Sequence, residues 1–395
     1  MSSDQQTRWW PVFAAFVAGC LGAAQIGKVA ASLSIVIDDL QLSLLEGGLV
    51  VSLFTLTTAL TGSLFGVLGD RYGHRRLAIA GLLISAVGAV LGSFSHSVTV
   101  LLATRIVEGV GFTLAVVCLP PLVSQAASDR DRPVAMGLWG AFMPAGIGVM
   151  MVVSPWLVAG FGWRGLWNSV ALALVVWTVL LATADRAGPR RDRGAMRSLK
   201  SMTAAVFRPG PMVLFGCFGC YSAMYVPLTA FFTTLLVTQK SVPADVAAWV
   251  GAPVVAANII GNLAAGWLVR HGVAPHRLLR IAFVTMGVCA SIVFVSLSPV
   301  WVKVVAGILF SAFGGLIPGT LFILAPGFAS HPSQIAALSG LLLQGAGIGQ
   351  TLGPLVVSAS VDYFSGWGHA SWNMGLATAG GLLLASKLAR RSDAV

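Results

Sequence analysis

Three charged side chains lie deep inside long apolar stretches of this sequence, namely Lys28, Arg105 and Glu108. If those stretches cross a bilayer, each buried charge costs about 2.5–3.5 kcal/mol, which makes each position a candidate for function. Arg105 and Glu108 are three residues apart, so both lie on one face of a helix. A desolvated carboxylate beside a cation can take up and release a proton, although a static ion pair is an equal alternative. Glu108 is therefore the predicted proton-coupling residue.

Lys28 is the second cation of this set, and Gln25 lies one turn earlier on the same helix face. Lys28 is about ten residues from the end of its apolar run, which favours a side chain that faces a polar cavity; snorkelling to the outer interface is the alternative. Two cations against one carboxylate predict a net-positive cavity that suits a small organic anion or polar solute. The predicted substrate-binding residues come from both halves of the chain: Gln25, Lys28, Arg105, Tyr225, Asn258 and Gln344.

A further cluster, between the second and third apolar runs, combines glycine, aspartate and arginine in a pattern suited to a gate. Asp70 ends one predicted helix, where its carboxylate can dock on the N-terminus of a neighbouring helix or pair with an arginine of the same bundle. A contact that forms in one conformation and breaks in another would close and open that end; a positively charged topological anchor is the alternative. The predicted gating residues are Gly66, Asp70, Arg71, Gly73, Arg75 and Arg76.

Helices in a lipid bilayer must position these residues, because the composition excludes a soluble domain. Of the 395 residues, 57% are hydrophobic and 9% are charged, and the mean hydropathy is +0.88; soluble domains carry about 25% charged residues. Run length and weak strand alternation favour an all-α membrane protein over a barrel. About twelve spans are predicted, at residues 9–37, 44–68, 77–96, 99–125, 134–160, 167–184, 209–237, 246–269, 278–296, 300–326, 334–360 and 370–388.

The formal net charge of +11 would suggest nucleic acid binding in a soluble protein. Here most basic residues fall in loops on one side of the predicted spans, whereas Arg164 and Lys240 fall on the other side. This asymmetry predicts that both termini face the cytoplasm, and we expect a multi-pass protein of the bacterial inner (cell) membrane. The basic excess reflects topology and contact with the lipid bilayer, so no nucleic-acid partner is expected.

The two halves of the chain repeat one another. The Gly66–Gly73 cluster has a counterpart at Gly266–Gly272, an offset of 200 residues (266 − 66), and Tyr225 is the counterpart of Lys28. A duplicated apolar chain predicts two pseudo-symmetric six-helix bundles with a substrate site between them. The predicted domains are a first bundle at 1–184, a cytoplasmic linker at 185–208 with an amphipathic segment near 196–207, and a second bundle at 209–395.

The sequence contains no pattern that is typical of an enzyme. Cys217 and Cys220 have the Cys-x-x-Cys spacing that is found in redox and zinc sites. No second such pair and no nearby histidine accompanies them, so the two cysteines are interpreted as small apolar residues of a helix. No metalloprotease, nucleophile-elbow or complete phosphate-loop motif is present in the sequence. We therefore expect no catalytic residues, no metal and no cofactor.

The segment from Gly66 to Arg76 resembles the signature between helices 2 and 3 of the major facilitator superfamily (MFS), and Arg105–Gly111 is similar to that family's fourth-helix motif. His74 departs from the pattern, standing where Arg or Lys is usual. The second copy has lost its acidic residue and carries Arg270 near that position. The fifth-helix antiporter motif is partial. Gln25–Lys28 together with Arg105–Gly109 resembles the cyanate and nitroimidazole permease branch.

This resemblance implies a secondary active transporter with two bundles that rock about a central cavity. Together with the charged residues, it predicts alternating-access transport of a small organic anion or polar solute, with proton coupling through Glu108. A proton-coupled exporter of amphipathic drugs or metabolites is the alternative, favoured by the aromatic-rich spans. A membrane receptor without transport activity is a third possibility, although no soluble output domain is evident. We expect a monomer, working by symport or antiport.

Overall fold

The protein is built from helices throughout the part that the computed structural model describes, which is residues 6–42, 44–183, 208–329, 334–364 and 366–392. In the first half the helices are α1 (Trp9–Leu40), α2 (Leu44–Tyr72), α3 (His74–Ser93), α4 (Val98–Ala126), α5 (Arg132–Gly140) and α6 (Phe142–Thr183). In the second half they are α7 (Pro209–Lys240), α8 (Ala244–Arg270), α9 (Pro275–Phe294), α10 (Val300–Gly314), α11 (Leu316–Leu324), α12 (Ile335–Tyr363) and α13 (Ala370–Ser392). Two short 3₁₀ turns, Ala325–Phe328 and Trp367–His369, precede α12 and α13.

The sequence repeat is also a repeat of backbone conformation. Helices α1 and α7 are both 32 residues long, and each ends at a left-handed residue, Gln41 (φ 52°) and Ser241 (φ 51°). Helices α3 and α9 both have 20 residues. The loops that precede them both contain a glycine with positive φ, Gly73 (103°) and Gly272 (86°), a conformation that side chains disfavour. The predicted pseudo-symmetry of the two halves is confirmed.

Ten helices in the described residues are long and apolar enough to cross a membrane. One of them, α6, has 42 residues and is interrupted at Gly162 (φ 66°), so it is long enough for two passes. Helix α13 adds 23 residues at the end of the chain. The prediction of an all-α membrane protein with about twelve spans is therefore confirmed.

Two spans that the sequence predicted as continuous are interrupted. The helix over 134–160 breaks between Gly140 and Phe142, and the helix over 300–326 breaks at Gly315. Both breaks fall where small residues allow close backbone approach: a Cβ on Gly140 would lie 3.0 Å from the Cα of Gly319. Hydropathy carries no information about such contacts, so the interruptions were not predicted.

The chain forms two compact units. The first comprises the described parts of Met1–Ala135, Phe142–Phe207 and Ala329–Gln344, and the second those of Met136–Ala141, Arg208–Phe328 and Gly345–Val395. In the first unit α1 packs on α6, and α4 packs on α2 and α3; in the second, α9 packs on α10 and α13, and α8 packs on α10. The predicted linker and its amphipathic segment lie outside the described residues, apart from Arg208.

Candidate functional site

A buried charge triad occupies the interior of the first unit. Glu108 of α4 binds two cations: its Oε1 lies 3.1 Å from Lys28 Nζ of α1, and its Oε2 accepts a hydrogen bond from Arg105 Nη1 of α4. None of the three side chains is more than 1% exposed. Two positive charges share one carboxylate, so the triad carries a net charge of +1 when all three groups are ionised.

Close contact between α3 and α4 fixes the carboxylate end of the triad. The backbone of Glu108 lies against Gly88, where a Cβ would come within 2.9 Å of the Glu108 nitrogen. The Ser85 hydroxyl donates to the Glu108 carbonyl at 2.9 Å. Arg105 is fixed separately, because its Nε donates to the carbonyl of Val50 in α2 at 2.9 Å. The triad is thus assembled from four helices that pack through small residues.

Aromatic rings cover the two cations. Lys28 Nζ lies 4.0 Å above the ring of Trp167, and the Arg105 guanidinium carbon lies 4.6 Å from the ring centre of Phe54 and 5.8 Å from that of Trp167. Cation–π contacts in a desolvated site stabilise a charge by about 2 kcal/mol. Trp167 and Phe54 were not predicted from the sequence, since an aromatic residue in an apolar span usually only fills space.

Gln25 completes this cluster and leaves one polar atom unused. Its Nε2 donates to the Ser85 carbonyl at 3.2 Å, which fixes the orientation of the amide, because the flipped orientation would place two acceptors together. Its Oε1 then has no partner among the described residues, although the side chain is fully buried. A buried orphan acceptor of this kind is unusual and favours a ligand or water at that point.

The structure therefore brings together four predicted site residues: Gln25, Lys28, Arg105 and Glu108. The predicted pairing of Arg105 with Glu108 on one helix face is observed. Snorkelling of Lys28 to the outer interface is wrong, because the ammonium is fully buried and is paired with Glu108. That pairing joins positions 80 residues apart, which sequence spacing does not reveal.

Two more predicted residues, Tyr225 and Asn258, meet in the second unit. Asn258 Nδ2 donates to the Tyr221 hydroxyl at 3.0 Å and to the Ser311 carbonyl at 3.2 Å. The rings of Tyr221 and Tyr225 stack with their centres 5.4 Å apart. Asn262 Nδ2 donates to Asn258 Oδ1 at 3.0 Å. The second unit thus has a neutral aromatic and amide cluster where the first unit has charges.

Gln344, the last predicted substrate contact, belongs to neither cluster. It lies in the first turns of α12, in the part that packs with the first unit, and its Nε2 is 3.4 Å from the Leu60 carbonyl of α2. Among the described residues, no group of three or more His, Cys, Asp or Glu side chains could hold a metal ion.

The predicted gate centres on Asp70 at the end of α2. Its Oδ1 lies 2.7 Å from His74 Nε2, and its Oδ2 accepts from the backbone nitrogen of Ala337 at 3.2 Å. Ala337 is in the first turn of α12, so the carboxylate docks on a helix N-terminus, one of the two predicted arrangements. Among the described residues its side-chain partner is His74, four residues later in the chain, and not an arginine.

The other gating positions have different surroundings. Gly66 packs so closely on α12 that a Cβ would overlap the backbone of Ala336 and Ala337. Arg75 Nη2 donates to the carbonyls of Leu181, at 3.3 Å, and Ala182, which lie in the last turn of α6. Gly73 forms the left-handed turn between α2 and α3. Arg71, over the Tyr72 ring at 5.4 Å, and Arg76 are exposed.

Cations also stabilise the ends of helices away from the triad. Lys303 of α10 is fully buried, and its Nζ donates to the carbonyls of Val293 at 2.5 Å and Val295 at 2.7 Å. In the first unit, Asp39 accepts from Arg164 Nη1 at 2.7 Å and from Trp163 Nε1 at 3.1 Å. The hydrogen bond from Arg164 has the larger effect and that from Trp163 the smaller, and both lower the pKa of the Asp39 carboxyl below its ordinary value.

Comparison with known proteins gives the same fold and family. A sequence profile of the Major Facilitator Superfamily matches residues 12–344. The Cyanate transport protein CynX of Escherichia coli K12 is 25% identical over 354 residues, which cover 83% of this chain and 87% of CynX. The Inner membrane transport protein YajR of the same strain is 25% identical over 185 residues, which cover 45% of this chain and 40% of YajR, less than half of its length.

Among solved structures, that of the Escherichia coli fucose:proton symporter FucP superimposes with a TM-score of 0.73 at 17% identity, covering 94% of this chain and 97% of FucP. That likeness shows a shared fold. The resemblance predicted from the motifs, including the one to the cyanate permease branch, is confirmed by these matches. The apolar helices make the protein a multi-pass membrane protein, and the chain belongs to the Major Facilitator Superfamily.

Proposed function

We propose that this protein moves a small organic anion or polar solute across the bacterial inner membrane by alternating access, together with a proton. The observation that carries the proposal is the buried triad, in which Lys28 and Arg105 share the carboxylate of Glu108. A residual positive charge in a desolvated interior is costly, and an entering anion would compensate it.

The chemistry of the triad favours an anion as the substrate. The Lys28 ammonium has three donors and, within the described residues, one hydrogen-bond acceptor, Glu108. An anion could therefore bind Lys28 before it displaces the carboxylate from either cation. The similarity to CynX, a cyanate transport protein that this chain matches over most of its length, supports the same substrate class.

Proton coupling follows from competition for the two cations. An anion that binds Lys28 and Arg105 would weaken their hold on Glu108. The carboxylate would then lie in an apolar interior with a second anion beside it, and uptake of a proton would relieve that repulsion. Release of the anion would restore both ion pairs and expel the proton. Glu108 would thus link the two movements.

The contact between Asp70 and α12 is the proposed gate. Docking of the carboxylate on the Ala337 nitrogen and close packing of Gly66 both hold α2 against the first turn of α12. Alternating access requires such contacts to form and break in every cycle. His74 is the side chain that orients the carboxylate for this contact. Arg71, Arg75 and Arg76 lie close to Asp70 in the sequence and are the remaining proposed gating residues.

The remaining predictions from the sequence complete this proposal. Tyr225, Asn258 and Gln344 are proposed substrate contacts outside the triad. The charge asymmetry supports cytoplasmic termini, with bundles at 1–184 and 209–395 joined by a cytoplasmic linker. Nothing in the proposed cycle requires a second copy of the chain, so a monomer suffices.

Uptake into proteoliposomes tests the proposal. Small anions such as cyanate and acetate, and a lipophilic cation such as tetraphenylphosphonium, would be offered with and without an imposed pH gradient. We expect the pH gradient to drive anion accumulation beyond the passive entry of the neutral acid that protein-free liposomes show, and loss of that excess in Lys28→Met. Lys303→Met is the matched control, because it removes a buried lysine whose hydrogen-bond partners among the described residues are two backbone carbonyls and one side-chain amide. Movement of the cation alone would contradict the proposal and favour the exporter alternative.

A further inference from the structure

Trp167 lies against the buried charge triad in an arrangement that packing alone does not explain. The side chain is fully buried in α6, with its ring face toward the Lys28 ammonium at 4.0 Å and the Arg105 guanidinium at 5.8 Å. Its ring therefore lies beside both cations that would receive an anion. Any ligand bound to Lys28 and Arg105 would lie beside this indole.

The indole N–H of Trp167 has no hydrogen-bond acceptor among the described residues. Buried tryptophan N–H groups usually have a partner, because leaving a donor unpaired in an apolar interior is unfavourable. The Lys28 ammonium, beside the same ring, also has donors that Glu108 does not use. Two unused donors thus occur on neighbouring side chains in one buried cluster, next to a surplus positive charge.

The neighbouring Trp163 shows the contrast within the same helix. It packs edge-to-face on Trp167, with ring centres 5.5 Å apart, and it is also buried. Its N–H, however, donates to the Asp39 carboxylate at 3.1 Å. Of these two adjoining indoles, one therefore has its donor satisfied by the protein and the other does not.

We infer that Trp167 binds the transported anion through its indole N–H, and that the anion carries at least two acceptor atoms. This inference rests on the proposed function. The N–H points along the plane of the ring, whereas the ammonium lies over its face, so the two donors approach a ligand from different directions. A carboxylate or a linear triatomic anion can accept from both donors through separate atoms. A halide has a single acceptor centre and satisfies them less well.

The test compares Trp167→Phe with the matched control Trp163→Phe in the purified full chain. Phenylalanine retains an aromatic face for Lys28 and removes the N–H. Dissociation constants for cyanate, acetate and chloride would be measured by equilibrium binding in detergent. For Trp167→Phe we expect cyanate and acetate to bind at least about tenfold more weakly, the usual effect of losing a hydrogen bond to a charged group. Chloride should change less, and Trp163→Phe should bind all three anions as the wild type does.

Unchanged cyanate and acetate binding in Trp167→Phe would overturn the inference while the proposed function stands. Wild-type protein that binds none of the anions would overturn both. A second measurement needs no variant: in wild-type protein with ¹⁵N-labelled tryptophan, one indole N–H resonance should move downfield as acetate is added. If acetate binds and no indole resonance moves, Trp167 does not donate to the anion.

Discussion

Replacing Glu108 with glutamine removes the negative charge that Lys28 and Arg105 share, and leaves two buried cations side by side. Breaking a buried ion pair by removing one partner costs about 3–5 kcal/mol, because the remaining charge is uncompensated. Both cations are at most 1% exposed, so bulk water does not compensate the lost negative charge. We expect Glu108→Gln to lower the free energy of unfolding by at least that amount, about 3–5 kcal/mol.

Lys28→Met should be milder, because it leaves one cation paired with one carboxylate. Glu108 retains its hydrogen bond from Arg105, and the loss is that of one charged hydrogen bond and one cation–π contact, about 1–3 kcal/mol. The double variant Lys28→Met/Glu108→Gln restores the wild-type net charge of the triad. It should therefore be more stable than Glu108→Gln alone, which requires a coupling energy larger than the cost of Lys28→Met, about 1–3 kcal/mol.

The four proteins form a double-mutant cycle that can be measured by SDS titration in mixed micelles, with helicity as the signal. Because a bound anion supplies the missing negative charge, acetate should stabilise Glu108→Gln more than it stabilises the wild type. Equal costs for the two single variants, with strictly additive effects in the double variant, would refute the shared-charge reasoning.

Three further predictions concern the gate and the helix ends. Asp70→Asn should express normally but take up the anion far more slowly than the wild type, whereas Asp129→Asn, at an exposed position, should leave uptake unchanged. Normal turnover in Asp70→Asn would contradict the gating role. Gly66→Ala should lower the unfolding free energy by about 1–3 kcal/mol through overpacking, while Gly48→Ala, which faces open space, should be neutral in the same titration. Lys303→Met should cost about 1–3 kcal/mol but retain anion uptake; lost uptake in a folded protein would make Lys303 functional.

The sequence predicted local features of the site well. Arg105 and Glu108 share a helix turn, so three-residue spacing was enough to place them together. Asp70 and His74 are also close in sequence, four residues apart, yet His74 was identified only as a departure from the family signature between helices 2 and 3. The i, i+4 spacing could have identified it as the partner of Asp70, although the two residues belong to consecutive helices.

Contacts between distant helices could not be predicted in the same way. The Lys28–Glu108 pair and the Trp167–Lys28 contact depend on which helix faces pack together. A single amino-acid sequence does not specify those faces, because spacing along one helix carries no information about its neighbours. The same holds for Asp70 and Ala337, which are 267 residues apart. Hydropathy located the spans because burial in lipid acts on each helix separately. It missed the breaks at Ala141 and Gly315, which arise from packing between helices.

The central claim is that Glu108 exchanges a proton as the anion binds and leaves, and one comparison tests it most directly. Glu108→Gln, purified with acetate and reconstituted, would be assayed for substrate counterflow and for accumulation driven by a pH gradient. Glutamine resembles the protonated acid, so counterflow should persist, because exchange moves no net proton, while pH-driven accumulation should be abolished. If Glu108→Gln still accumulates the anion beyond protein-free liposomes when driven by pH, Glu108 is a structural partner of Arg105 and does not couple transport to the proton.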